Sequence, residues 1–510
     1  MQGLAKTFLG VAGALVLQQV GAQEVLPTLT MGADKCSLQA IGATVEPAMI
    51  GEPVSAVKLD RIQWVAAGDR NPALCVVEGQ LLPIDTAATA RPIRFAIGLP
   101  ANWNRRSIHQ GGGGMNGTAP QFVPNPQRPA FPGAPPSDVS RGFAVYGSDS
   151  GHGAQDAEWA LNDEAIRNFG YAQLKKTHDV AQIIIQRFYG EQPRYRYFLG
   201  NSQGGREGLT VAQRYPADYH GVAANVPVVA LNSLMQAPAA IRRREFAIGK
   251  LVPLAKGKAI AAEFMRQCDA LDGLDDGVIN DYQGCRAVFD VGDGKGPKAP
   301  WSARRCPEGR DPAPADASER ACLTDGQIET LQFIFSRQPF GQPRAYGTST
   351  FGMWLPTTEV IVGGLPPASG NSLLNDIRYK GQEGAGADAR VFSSLGSPGI
   401  TGFLLKDLAA NPLTYAGSPA IEARQKQLSG WVDSTNPDLG DFSKRGGKLI
   451  VAIGTNDTLA SPGAQLDYYA ALEKRMGRKA LDEFARLYVL PQRGHGLQGN
   501  AYTLTGAGKA

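Results

Sequence analysis

The sequence predicts an α/β fold with a mostly parallel sheet, helices on both of its faces, and a large lid inserted part-way. Three observations predict it. From Pro92 onward, apolar strand-like runs alternate with helical patterns, which implies parallel strands joined by crossover helices. Gly200-Asn-Ser202-Gln-Gly204 stands where one such strand ends and a helix begins. The alternation lapses between about Leu231 and Gly440 and returns at Lys448, so two separated stretches of chain build the sheet.

Taken in order, Lys6 precedes an apolar run from Phe8 to Leu17, and Val20-Gly-Ala22 places small residues where a signal peptidase cuts. Residues 1–22 are therefore expected to be a cleaved export signal, and the mature protein to be secreted or periplasmic. The run is too short to span the roughly 30 Å of a bilayer core, and no later segment has a membrane-spanning pattern. Residues 23–90 read as short strands and turns. Ile93–Leu99, Gly142–Tyr146 and Tyr195–Leu199 read as strands, and a polyglycine turn covers 111–114. Phe169 to Tyr189 has helical spacing, with Leu174, Val180, Ile183, Ile184 and Phe188 on one broad face; Arg206 to Tyr215 reads as the helix after the next strand. The resulting layout is a core in two parts, 23–230 and 441–510, around a lid over 231–440 that is rich in Pro, Gly, Asp and Cys.

Composition removes other classes of answer. The 510 residues are 43% hydrophobic and 19% charged, enough to bury a large core, and 62 Gly with 35 Pro follow no collagen-like period. The net charge of +4 comes from 51 basic and 47 acidic residues mixed along the chain, with no basic block to mark a nucleic-acid or membrane surface. Six cysteines, Cys36, Cys75, Cys268, Cys285, Cys306 and Cys322, suit an oxidising compartment, although the spacing alone allows many connectivities. Neighbour pairing of Cys268 with Cys285 and of Cys306 with Cys322 would close loops of about 15 residues, each contributing about 3 kcal/mol in the chain-entropy model. No CxxC spacing supports zinc or thioredoxin-like chemistry. Two sequons, at Asn116 and Asn456, fall in segments assigned below to the site. Glycans there would obstruct chemistry, which favours a bacterial exported protein.

The chemistry begins at Ser202, whose place on a strand-to-helix turn would lift its hydroxyl above the sheet. A serine hydroxyl needs a base to take its proton and an acid to orient that base. Of the five histidines, His109, His152, His178, His220 and His495, the last alone follows the final strands, in Pro491-Gln-Arg-Gly-His-Gly496. Asp457 ends a strand that begins at Ile450 and is the expected acid; Asp467, in a helical run, is expected to face solvent. Acyl transfer also needs N–H donors for the developing oxyanion. The amide of Gln203 is one, and Gly113 in Gln110-Gly-Gly-Gly-Gly-Met-Asn116 is the other, with Gly112 next in line. In the lid, Asp269, Asp272 and Asp276 lie in a glycine-punctuated loop, Cys268-Asp-Ala-Leu-Asp-Gly-Leu-Asp-Asp-Gly-Val278, that does not match the EF-hand template. Spacing alone leaves open whether it is a metal site or a solvated acidic turn.

Together these residues resemble the tannase and feruloyl esterase family of α/β-hydrolases over nearly the whole mature chain. The likeness rests on Trp103-Asn104, on His109 through Gly117, and on Ser148-Asp-Ser-Gly-His152, Trp159-Ala-Leu161, Phe169-Gly-Tyr171 and Phe188-Tyr-Gly190. The elbow with Gly204-Gly-Arg206 and Gln213-Arg-Tyr-Pro216 complete it. It implies Ser202, Asp457 and His495 as a catalytic triad and Gly113 with Gln203 as the oxyanion hole. It further implies a structural Ca²⁺ held by the side chains of Asp269, Asp272 and Asp276 and the carbonyls of Leu274 and Val278, and the pairs Cys36–Cys75, Cys268–Cys285 and Cys306–Cys322. One departure stands out: Asn201 and Gly496 occupy positions where the family usually carries a disulfide joining the nucleophile to the base. Packing, or an Asn201 hydrogen bond, must then replace that tether. The expected activity is hydrolysis of small-molecule carboxylic esters through an acyl-enzyme, with feruloyl- or galloyl-like aromatic esters as the leading class and small aliphatic or hydroxyalkanoate esters as the rival. Phe351, Trp354 and Phe403 are candidates for stacking on an aromatic acid, or for ordinary lid packing. A catalytically silent binding protein is the reading outside enzymes, and the complete set of catalytic residues argues against it.

Overall fold

Ten strands of one sheet position everything that follows. The computed structural model describes residues 26–69, 71–122, 136–153, 156–245, 250–292, 300–357 and 398–497, and the expected signal peptide at 1–22 lies outside them. The strands are β1 (Thr44–Val45), β2 (Ala56–Val65), β3 (Leu74–Leu82), β4 (Ile93–Pro100), β5 (Arg106–Gln110), β6 (Ala144–Ser148), β7 (Tyr195–Asn201), β8 (Gly221–Asn225), β9 (Lys448–Gly454) and β10 (Ala485–Leu490). Their order across the sheet is β10-β9-β8-β7-β5-β6-β4-β3-β2-β1. Strands β5 to β10 pair in parallel, and β1 to β4 extend the sheet in antiparallel fashion.

The antiparallel wing corrects the expectation of short strands before residue 90. Strands β2 and β3 run for 10 and 9 residues. A register shift between Leu59 and Arg61 changes the phase of β2, so its in–out alternation breaks at the exposed Asp60 and a single long strand reads as fragments.

Six helices matter for the site: α1 (Gln173–Tyr189), α2 (Gln203–Arg214), α3 (Leu231–Glu245), α4 (Asp325–Phe335), α5 (Pro419–Val432) and α6 (Pro462–Met476). Helix α1 buries Leu174, Val180, Ile184 and Phe188, the predicted stripe, with Ile183 at its margin. A π-helical turn over Asn168–Ala172 precedes it, and Gly190 ends it in the left-handed region at φ +79°. Helix α4 starts with a capping box between Thr324 and Gln327.

The lid leaves the sheet after β8 and rejoins it at β9. Its own interior is an aromatic knot in which Phe264 meets Phe289, Trp301 and Phe335 with ring centroids 5.0, 5.4 and 4.9 Å apart. This knot is continuous with the buried residues of α2, β8 and β9, so lid and sheet share one core. Disulfides join Cys36 to Cys75, Cys268 to Cys285 and Cys306 to Cys322. No helix among the described residues is long and apolar enough to cross a membrane.

Candidate active site

The elbow after β7 is built by steric necessity. Ser202 sits at φ +63°, ψ −119°, a strained conformation for a residue with a side chain. The neighbouring strand helps to hold it there: the Ser202 N–H donates to the Asn225 carbonyl at 2.9 Å. At Gly200 a Cβ would collide with the Gly204 carbonyl, and at Gly204 a Cβ would lie 2.6 Å from the Gly112 oxygen. The two glycines of the G-x-S-x-G pattern therefore let strand, helix and polyglycine loop meet.

Ser202, His495 and Asp457 come together in one chain of hydrogen bonds. His495 Nε2 lies 2.7 Å from Ser202 Oγ, and His495 Nδ1 lies 2.9 and 3.0 Å from the two carboxylate oxygens of Asp457. Asp457 is fully buried, and its Oδ1 also accepts the N–H groups of Leu459 and Ala460, both at 2.9 Å. An ionised carboxylate accepts only, so the network places the imidazole proton on Nδ1 and leaves Nε2 to accept the serine proton. The other histidines are engaged elsewhere. His109 bonds Tyr219 and His178 bonds Tyr146, His220 accepts from the Arg196 N–H, and His152 stacks on Trp159 at 3.9 Å. Asp467 does not face solvent as expected: it bonds Arg286 at 2.7 and 2.9 Å and Arg337 at 3.3 Å, fastening the lid to α6.

The polyglycine loop lies over the start of α2. The Gly112 N–H donates to Glu207 Oε2 at 2.9 Å, whereas the Gly113 and Gln203 N–H groups have no acceptor among the described residues. Gly112 is thus spoken for, and Gly113 is left to face the cleft. Asn116 Nδ2 donates to Glu207 and to Ser150, so its sequon nitrogen is turned inward. Arg206 is wholly buried, and burial lowers its pKa to about 10. It donates to the carbonyls of Phe169, Gly170 and Val432 and to Gln203 Oε1 at 2.9 Å, which ties the residue after the nucleophile to the π-turn and to the end of α5. Neither Glu207 nor the role of Arg206 was legible in the sequence, because their partners outside α2 lie 34 to 226 residues away.

A cleft of about 670 Å³ opens above Ser202. Besides the glycine loop, its described lining combines an aliphatic group, Val228, Leu231, Leu234, Met235 and Leu459, with the polar Asp138, Asn201 and Asn225. Phe351, Trp354 and Phe403 do not line it. All three are buried: Phe351 packs against Trp354 at 6.3 Å, and Phe403 against Trp159 at 5.2 Å. Large rings gain most from full burial, and the shared lid–sheet core offers it.

A family model described as tannase and feruloyl esterase matches residues 75–504. The chain belongs to that family. It is 30% identical over 484 residues to an uncharacterized esterase of Agrobacterium fabrum, covering 91% of this chain and 81% of the relative. It is 27% identical over 441 residues to the mono(2-hydroxyethyl) terephthalate hydrolase of Piscinibacter sakaiensis, covering 79% and 69%. The crystal structure of an esterase from Aspergillus oryzae superposes with a TM-score of 0.66 at 24% identity, over 91% of this chain and 84% of that one, and shares the α/β-hydrolase fold. This family member is a carboxylic ester hydrolase that acts on small-molecule esters.

Asn201 and Gly496, the two positions at which the sequence departs from the expected family pattern, are close to solvent. Asn201 is exposed in the cleft, its side chain bonded to none of the described residues, and Gly496 is exposed. Hydrogen bonds to the loop after β9 and to the lid hold the histidine loop. Asn456 N–H donates to the Arg493 carbonyl at 2.9 Å, Gln492 N–H to Thr455 Oγ1 at 2.9 Å, and the Gln492 side chain to the Gly277 carbonyl of the lid at 2.5 Å.

That lid contact belongs to the acidic loop. Asp269 accepts the Gly277 N–H at 3.1 Å, Asp272 the Leu274 N–H at 2.9 Å, and Asp276 the Val278 N–H at 3.0 Å, with Gly273 and Gly277 at φ +92° and +81°. Burial raises the Asp269 carboxyl pKa, the Gly277 N–H opposes it, and the adjacent Asp275 raises it further. The structure does not bring the carboxylate oxygens of Asp269, Asp272 and Asp276 all within 4.8 Å of one another, although carboxylates and loop carbonyls are the kind of oxygen donor that suits a hard cation such as Ca²⁺.

Proposed function

We propose that the protein is an exported serine esterase that works through an acyl-enzyme, with aromatic esters of the feruloyl or galloyl kind as its substrates. The observation that carries the mechanism is His495 Nε2 at 2.7 Å from Ser202 Oγ, with Asp457 on the far nitrogen, at the floor of the cleft. In the first half-reaction His495 takes the Ser202 proton as Oγ attacks the ester carbonyl carbon. The resulting oxyanion accepts from the Gly113 and Gln203 N–H groups. Collapse expels the alcohol, which leaves with the proton from His495, and the acyl group remains on Ser202. Water, deprotonated by His495, then releases the carboxylic acid and restores the serine.

The family and the terephthalate ester named for one relative support an aromatic acyl group, and Met235 offers a polarizable thioether to a ring. The aliphatic walls favour a second reading, small aliphatic or hydroxyalkanoate esters. Export is supported by the three disulfides and by the apolar run at Phe8–Leu17. We also propose that Asp269, Asp272 and Asp276, with the Leu274 and Val278 carbonyls, hold a structural Ca²⁺ that stiffens the lid loop.

Initial rates on methyl ferulate, methyl gallate and p-nitrophenyl butyrate, each beside a Ser202→Ala control, test the reading. High turnover of an aromatic methyl ester, abolished in the variant, is the expected result. Butyrate turnover alone would move the substrate to the aliphatic class, and equal rates in the Ser202→Ala protein would refute the mechanism.

A further inference from the structure

We propose that Glu207 is a positioning residue for the oxyanion donor, its carboxylate fixing the glycine loop so that the Gly113 N–H faces the reacting carbonyl. The proposal rests on the reading of Ser202 as nucleophile. It starts from what the loop lacks. At Gly113 and Gly114 nothing lies within 4 Å of the point where a side chain would begin, so no neighbour packs against that side of the loop. Gly114 and Asn116 both take left-handed conformations, at φ +58° and +61°. A peptide of this kind samples many orientations unless its flanks are held.

Glu207 holds both flanks. It lies on α2, five positions after Ser202, and is 1% exposed. Oε2 accepts the Gly112 N–H at 2.9 Å, immediately before the proposed donor, and Oε1 accepts Asn116 Nδ2 at 2.6 Å, three positions after it. Gln173 Nε2 from α1 donates to the same Oε1 at 3.2 Å. The Asn116 N–H closes the turn onto the Gly113 carbonyl at 2.8 Å. The Gly113 peptide is thus clamped between two bonds to one carboxylate. The helix that carries the clamp also supplies the Gln203 N–H, so the two oxyanion donors are fixed relative to each other through a single rigid element. Burying a carboxylate is costly unless donors surround it, and Arg206 beside it helps to offset that cost.

All three partners of Glu207 are donors, which makes an isosteric test possible. In Glu207→Gln one oxygen becomes an NH₂ and the charge is lost, so the bond to the Gly112 N–H becomes a neutral one and the Asn116 and Gln173 amides keep theirs only by turning over. The loop is then held more weakly on both flanks. Loss of a single oxyanion donor costs about 10²–10³ in kcat, and a misaimed donor is expected to cost about 10- to 100-fold, with KM within about twofold. The affinity for a trifluoromethyl ketone, which becomes an oxyanion when Ser202 adds to it, should fall by the same factor as kcat/KM.

The experiment compares wild type, Glu207→Gln and Ser202→Ala by steady-state kinetics, ketone inhibition and thermal melting. A parallel fall of kcat/KM and ketone affinity at unchanged KM supports the proposal. Unchanged kcat and ketone affinity in a folded variant overturn it, whatever happens to the melting temperature. Should Glu207→Gln fail to fold, Asn116→Ala decides the matter, because it frees one flank and leaves Glu207 with its other two donors. A fall in kcat and ketone affinity at constant KM is again expected, and wild-type values overturn the proposal. Turnover retained in Ser202→Ala would instead refute the underlying reading, independently of Glu207.

Discussion

Replacing Asp457 with asparagine tests the orientation of the base more sharply than deleting it. The substitution keeps shape and volume, and the structure dictates how the amide must sit. Oδ1 of Asp457 accepts two backbone N–H groups, from Leu459 and Ala460, so an amide can place only its oxygen there. Its NH₂ is then forced into the Oδ2 position, 2.9 Å from His495 Nδ1. A donor at that distance requires Nδ1 to accept, which moves the ring proton to Nε2, where it points at Ser202 Oγ and cannot take the serine proton. The same change in the serine-protease triad lowers kcat by about 10⁴, equivalent to about 5.5 kcal/mol of transition-state stabilisation. A loss of that order is expected here, with KM nearly unchanged and a melting temperature close to wild type, because the two backbone bonds survive. The assay is p-nitrophenyl butyrate hydrolysis at enzyme concentrations high enough to register a rate ~10⁴-fold lower, with folding checked by circular dichroism. Asp467→Asn serves as the control and should retain turnover, since Asp467 is committed to Arg286 and Arg337. A folded Asp457→Asn enzyme within tenfold of wild type, or an Asp467→Asn enzyme that is the more impaired, would refute the reasoning.

Two further outcomes follow from electrostatics. If the acidic lid loop holds Ca²⁺, chelator should lower the melting temperature and added Ca²⁺ restore it, by about 2.7 kcal/mol of stability at a free concentration of about 100 Kd. An unchanged melt in protein shown by elemental analysis to be metal-free would mean that the loop is only a turn. Burial lowers the His109 pKa to about 3, so the unfolded chain binds that proton first, and the stability His109 contributes is present above about pH 6.5 and is lost as pH falls toward 3. Asp149 and Asp433, raised by burial to about 6, act in the opposite sense, so the readout is a difference between proteins. Denaturant unfolding of His109→Gln should show an acid limb shallower than wild type by up to about 1.4 kcal/mol per pH unit between pH 6 and 4, and coincident limbs would count against it.

What the sequence determined by itself is whatever short-range pattern records. The strand-to-helix junction around Ser202 carries its steric logic in adjacent residues, so Gly200 and Gly204 announce the elbow without a structure. Chain order then leaves Asp457 and His495 as partners at the ends of the last strands, and the structure brings all three within hydrogen-bonding distance. The helical face of α1 was equally local. Where a local period was interrupted the reading failed, as at the bulge of β2, because one unpaired residue reverses every later side chain.

Tertiary structure alone decided which buried groups meet. Phe351, Trp354 and Phe403 are apolar and aromatic in the sequence, a property shared by core and cleft; only the continuous lid–sheet core shows that they fill the former. Glu207 reads as one charged residue on a helix, and Gln492 as one polar residue in a loop. The first becomes the anchor of the glycine loop 95 residues away, and the second links the histidine loop to the lid across 215. Hydrogen bonds of this kind are set by where distant segments come to rest, and sequence periodicity does not encode that. The physical reason is range: steric and periodic constraints act over a few residues, whereas the pairing of buried polar groups is fixed only once the whole chain has closed around them.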